Sequence, residues 1–230
     1  MKKILLIGDS IRLGYDVFVK EAFEHSAKVY YPDENCRFAK FVFRHLHDWK
    51  RELGLGDDMD LIHWNAGLWD NLRLLDGELF TDIEQYKADV ERICKTIELL
   101  FPKAKMIFAT STPVQEELFG DCKRYNHEIR QYNEAAIEIV KKHGGEINDL
   151  YSHMDAAPVE YHSDLTHYYS RSGTAHITSK VVECISKSLS IAYKTPDYDA
   201  WFKETESYDD GNDWLKKRSC GANSQTELGS

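Results

Sequence analysis

The chain has 230 residues, 42% of them hydrophobic and 30% charged, which is enough for one substantial core and short for two. Its formal net charge of −10 argues against a nucleic-acid backbone or an anionic membrane surface as the main partner and favours a neutral or weakly charged small molecule. No window of the sequence is apolar for long enough to span a bilayer.

In chain order, Met1-Lys2-Lys3 and the apolar run after it mimic the start of a secretion signal, but Gly8-Asp9-Ser10 ends that run after four residues. Residues 2–8 instead read as a strand buried on both faces, followed by a helix over 12–24. A second strand is expected over 27–31, closed by Pro32. Over 38–53, Phe38, Phe41, Val42, Leu46, Trp49 and Leu53 fall on one helical stripe. The third strand is Leu61-Ile62-His63-Trp64, and Ile83, Tyr86, Val90, Ile93, Ile97 and Leu100 then recur at helical steps up to Pro102. A fourth strand at 106–109 precedes a helix over 123–142 that ends at Gly144-Gly145, and a short fifth strand follows at 146–148. The last helix is expected over 172–193, stopped by Pro196.

This alternation predicts an α/β fold, a three-layer α/β/α sandwich on a mostly parallel five-stranded sheet with right-handed crossovers. Sites in such sheets lie beyond the carboxyl ends of the strands, where Ser10, Asn65 and the segment after Ala109 would emerge. One domain is expected over 1–195. The acidic tail, 196–230, reads equally as a mobile end or as a docked cover. Cys36, Cys94, Cys122, Cys184 and Cys220 are odd in number and scattered, as expected for reduced thiols of a cytoplasmic protein.

Two short motifs carry chemistry. Ser10, at the first strand-to-helix junction, stands where free backbone N–H groups and a helix dipole can receive negative charge, unless it is simply a helix N-cap. In Asp164-Leu165-Thr166-His167, the three-residue spacing in a tight turn brings a carboxylate back to the near ring nitrogen and leaves the far nitrogen for a serine. Gly173 then supplies a flexible lead into the final helix. His63 reads as a core residue and His162 as a neighbour of the Asp-His pair. His45 and His47 point apart on their helix, so neither a metal nor another cofactor is expected.

Gly8-Asp9-Ser10-Ile11 together with Asp164-x-x-His167 and the following Gly173 resembles the SGNH hydrolase superfamily, the GDSL-type esterases and lipases, over residues 2–194. Asn148-Asp149-Leu150-Tyr151 also has a familiar family spelling. The resemblance implies Ser10 as nucleophile, His167 as general base and then acid, and Asp164 as the orienting carboxylate. It further implies an oxyanion hole made by the backbone N–H of Ser10, a backbone N–H at a position held here by Cys36, and an asparagine side chain. Where that asparagine is usual this chain has Trp69, in Gly67-Leu68-Trp69-Asp70, so Asn65 is the expected substitute donor. Asp9, Tyr15, Gly67 and Trp69 are candidate substrate contacts, and Arg12 and Arg171 are candidates for an acidic group on the substrate.

The activity so implied is ester hydrolysis through an acyl-enzyme on Ser10, with a pH–rate limb governed by His167. The small size, acidic character, lack of a long apolar lid and aromatic rim lean toward short acyl groups, such as acetyl esters on a sugar. A lysophospholipase or thioesterase is the enzymatic alternative. A non-catalytic binding module with a decayed oxyanion hole is the third. Oligomeric state is left open.

Overall fold

A computed structural model describes residues 1–202. The strands β1 (Lys2–Ile7), β2 (Ala27–Tyr30), β3 (Leu61–Trp64), β4 (Lys105–Ala109) and β5 (Glu146–Asn148) form one sheet in the order β2-β1-β3-β4-β5, every pairing parallel. The chain moves outward from β1 to one edge, returns, and then moves to the other edge. Neighbouring strands β1 and β3 therefore send their following loops in opposite directions, opening a crevice at their carboxyl ends. Ser10 and Asn65 lie directly after those two strands.

Helices cover both faces. On one side α3 (Ala39–Glu52), α4 (Ile83–Leu100) and α5 (Asn126–Lys142) bury a cluster that includes Val42, Leu46, Trp49, Val90, Ile93, Tyr132 and Ala136 with Leu5, Ile7, Ile62 and Phe108 of the sheet. On the other, α1 (Ser10–Leu13), α2 (Asp16–Ala22), α6 (Leu150–Asp155) and α7 (Arg171–Leu189) pack on Ile4, Leu6, Leu61 and Ile107. Consecutive residues of β1 thus feed opposite cores, which is why its sequence is a continuous apolar run. No helix among the described residues is long and apolar enough to cross a membrane.

Several boundaries depart from expectation. The helix expected over 12–24 is two short pieces, because the chain turns at Gly14 and Tyr15 before α2 begins. The helix α6 follows β5 in a segment given no element from sequence. The last helix ends at Leu189, where Ser190 takes a left-handed conformation, well before Pro196. Past residue 195 the chain remains docked on α2 as far as residue 202. Helix α8 (Tyr198–Phe202) sets Tyr198 and Trp201 against Phe18 of α2, with ring centroids 5.1 and 5.3 Å apart, and Asp197 donates its backbone N–H to Glu21. The acidic and basic runs expected after 202 lie outside the described residues.

Candidate active site

Asp9, not Ser10, caps α1: its Oδ1 accepts the Ile11 N–H at 3.0 Å. The capping duty therefore falls on the carboxylate and leaves the Ser10 hydroxyl free for other chemistry. That hydroxyl lies 2.8 Å from His167 Nε2, and His167 Nδ1 lies 2.7 Å from Asp164 Oδ2. A carboxylate only accepts, so Nδ1–H is the donor to Asp164 and Nε2 presents its lone pair to the Ser10 O–H. Burial on its own would raise the Asp164 pKa. The hydrogen bond and charge of His167, with the N–H groups of Thr166 and His167 on Oδ1, outweigh it and hold the carboxyl at about 2.

The turn that bears His167 is braced on three sides. Ser163 N–H donates to the His167 carbonyl at 2.8 Å and closes the turn. From the loop after β4, Gln115 donates its backbone N–H to the Leu165 carbonyl at 2.9 Å and its side-chain amide to the Asp164 carbonyl at 3.2 Å. At the start of α7 the Ser170 hydroxyl accepts the Gly173 N–H at 2.6 Å and donates to the Tyr161 carbonyl at 2.8 Å. Gly173 does not act as a flexible lead. It is a helical residue, and a Cβ there would meet the Tyr161 carbonyl at 2.3 Å, so the residue is small because two backbones touch.

Tyr169 links the two motifs. Its hydroxyl donates to the Ser10 carbonyl at 2.6 Å, and its ring lies almost parallel to that of His167 with centroids 4.7 Å apart. The sequence offers only a tyrosine two residues from His167, a position shared by many tyrosines that touch nothing of consequence. The role of Arg12 had a better signal in its four-residue spacing to Asp16. Arg12 does not face a substrate. It is fully buried, ion-paired with Asp16, and donates to the carbonyls of Gly8, Pro32 and Glu34, tying the loop after β2 to the Gly8-Asp9-Ser10 turn. Arg171 likewise pairs with Asp199 at 2.6 Å.

The donors expected at the oxyanion position fare unequally. The Cys36 N–H already donates to the Gly8 carbonyl at 3.0 Å, and the next N–H, of Arg37, is taken by the Asn35 side chain at 2.8 Å, so the loop after β2 does not hold a free donor at Cys36. The Ser10 N–H has no acceptor among the described residues. Asn65 is nearly fully buried against Gly8, where a Cβ would fall 1.9 Å from its Oδ1; only glycine lets the asparagine approach the Ser10 turn so closely. The helix dipole at Ser10 is small, since α1 is a single turn of four residues.

Of the candidate substrate contacts, only Trp69 keeps accessible surface. Tyr15 is fully buried with its ring edge-on to His63, Asp9 is buried under its capping bond, and Gly67 is close-packed against the Ser111 hydroxyl, so none of the three presents surface to a substrate. His63 is a core residue: Asn148 approaches its Nε2 at 3.1 Å, and burial lowers its pKa to about 3, so the ring stays neutral. His162 packs tilted against Tyr168 with ring centroids 4.1 Å apart, beside the Asp164–His167 turn. A cavity of about 410 Å3 between Phe101, Lys105, His143 and Glu146 opens at the amino end of β4, away from Ser10. Among the described residues, no three His, Cys, Asp or Glu side chains are grouped to hold a metal ion.

By sequence, no family model and no curated protein matches the chain. By structure, it is similar to a lipase/acylhydrolase from Enterococcus faecalis, at 19% identity and a TM-score of 0.63, over 86% of this chain and 100% of that one. It is also similar to an acetyl xylan esterase, at 13% identity and a TM-score of 0.65, over 80% and 99% of the two chains. A psychrotrophic esterase from Pseudoalteromonas sp. aligns at 11% identity and a TM-score of 0.62, over 83% and 100%. The chain has the fold of the SGNH hydrolase superfamily, whose structures include lipases, acylhydrolases and esterases of the GDSL type.

Proposed function

We propose that the protein is a serine esterase that hydrolyses short-chain acyl esters through an acyl-enzyme on Ser10. The observation that carries this reading is the unbroken chain from Asp164 Oδ2 through both nitrogens of His167 to Ser10 Oγ, at 2.7 and 2.8 Å. His167 Nε2 accepts the Ser10 proton as Oγ bonds to the ester carbonyl carbon, and the imidazolium returns that proton to the departing alcohol oxygen. Water then gives a proton to Nε2 and its oxygen attacks the acyl carbon; collapse of that intermediate frees the acid and restores the Ser10 O–H. Asp164 stays ionised throughout and stabilises the imidazolium.

The tetrahedral oxyanion is assigned to the Ser10 N–H and the Asn65 amide, two donors instead of three. Each missing donor costs roughly 3–4 kcal/mol of transition-state stabilisation, so turnover is expected to be modest. An acetyl group is the favoured acyl chain, and carbohydrate the favoured carrier; the likeness to an acetyl xylan esterase supports both.

A panel of p-nitrophenyl esters tests the activity and the chain length together, with fluorophosphonate labelling as an independent probe of Ser10. Wild type is expected to be labelled and to prefer acetyl to octanoyl; Ser10→Ala is expected to remain folded and to lose both turnover and labelling. Full turnover in Ser10→Ala would sink the assignment, and preference for octanoyl would reject the short-chain reading.

A further inference from the structure

Arg124 lies in the short segment between the loop after β4 and α5, and that segment is held at both ends. On one side Lys123 and Arg73 exchange backbone hydrogen bonds of 2.8 and 3.0 Å. On the other, the Asn126 side chain exchanges two 2.9 Å bonds with the backbone of Val114, and the Asn126 N–H donates to Glu116 at 2.7 Å. The guanidinium is thus placed by its backbone rather than left to sample solvent. Its Nε donates to the Leu68 carbonyl, in the same loop as Asn65 and Trp69, and its head group lies 5.7 Å from the centre of the Phe119 ring.

What it lacks is a counter-ion. No carboxylate among the described residues lies within ion-pair distance of Arg124, and its two terminal nitrogens have no acceptor there. Arg12 and Arg73, by comparison, are paired with Asp16 and Glu128. Burial lowers the Arg124 pKa, and the Asp9 carboxyl, not close enough to form an ion pair, acts against that shift through space. Asp9, the residue before Ser10, feels the charge of both His167 and Arg124. A desolvated, preorganised arginine without a counter-ion among the described residues is costly to keep, and its planar fork matches a carboxylate or phosphate.

We propose that Arg124 is an anion-binding residue of the active site and that the ester substrate carries a carboxylate or phosphate close to the acyl group. The proposal rests on the esterase reading for its substrate, but not for its binding site. The net charge of −10, which favoured a neutral ligand, is a sum over the surface. The cation that meets the substrate is local.

The experiment pairs acetyl esters of a neutral sugar, of its uronic acid and of its phosphate in the intact chain, wild type against Arg124→Gln and Arg124→Lys. Glutamine keeps a donor for the Leu68 carbonyl, and lysine keeps the charge without the fork. Wild type is expected to favour one of the anionic esters, and whichever it favours names the anion. A charged hydrogen bond of this kind corresponds to about 10–100-fold in kcat/KM, so Arg124→Gln is expected to lose that much more on the anionic ester than on the neutral one, with Arg124→Lys between. Equal losses on all three esters would make Arg124 a structural brace and overturn the proposal, as would equal wild-type rates. Inorganic phosphate is titrated calorimetrically in parallel, without turnover. Binding that weakens about tenfold or more in Arg124→Gln supports the site even where no ester is cleaved, and no binding to wild type counts against it.

Discussion

Asp164 fixes the tautomer of His167, and with it the direction of proton flow. In Asp164→Asn the amide can offer its NH2 to Nδ1, which moves the ring proton to Nε2, where it faces the Ser10 hydroxyl and the base is lost. A loss of roughly 10^4-fold in kcat is expected with near-normal circular dichroism. Tyr169 acts on the same pair from behind. Tyr169→Phe removes the 2.6 Å bond to the Ser10 carbonyl and keeps the ring stacked on His167. One neutral hydrogen bond is worth about 1 kcal/mol, so kcat is expected to fall about fivefold with KM unchanged. A rise in KM alone would remove Tyr169 from the positioning of Ser10.

At the scale of elements, the site is an agreement between loops. The Asp-x-x-His turn owes its position to the β4 loop through Gln115 and to α7 through the Ser170 cap. Ser170→Ala deletes a helix cap and is expected to cost about 1 kcal/mol in urea unfolding. Because the same hydroxyl holds the Tyr161 carbonyl, activity is expected to fall with it. Arg12 performs the matching task for the Ser10 turn. Arg12→Met leaves Asp16 buried without its cation, and a loss of about 3–5 kcal/mol is expected in the same measurement. The lengths of β3, α4 and β5 were readable from periodicity alone. The broken α1–α2 junction was not: Gly14 packs under the Tyr169 ring, which would lie 2.8 Å from a Cβ there, a contact with the far end of the chain.

For the whole molecule, two buried groups couple stability to pH with opposite signs. Asp70, whose carboxyl accepts the Ala39 N–H, is pushed by burial from 3.8 to about 7. Between those values the unfolded chain releases this proton and the folded one retains it, so this contribution favours folding below about pH 4 and fades as pH rises to 7. His63 is lowered from 6.5 to about 3, so the unfolded chain takes up a proton that the core refuses, and stability fades as pH falls through that window. Each displaced pKa unit is worth about 1.4 kcal/mol, and between pH 4 and 6.5 the two slopes oppose each other. In wild type these two contributions therefore offset each other in part over that window. Asp70→Asn is expected to gain stability steadily with pH over the same range in urea titrations, and a flat profile for that variant would refute the assignment to Asp70.

Local order along the chain determined the strands, the helices on each face and the two motifs that meet at the site, since periodicity and turn chemistry act between residues a few positions apart. Ser10, Asp164 and His167 were legible for that reason. Which amide is free, which arginine is paired and which tyrosine touches the nucleophile depend on segments brought together from opposite ends of the chain. The Cys36 N–H is taken by a carbonyl 28 residues away, at Gly8, and Arg124 is assigned an anion because no carboxylate among the described residues pairs with it. Only tertiary structure decides such matters, because a hydrogen bond is spent once and the sequence does not say on whom.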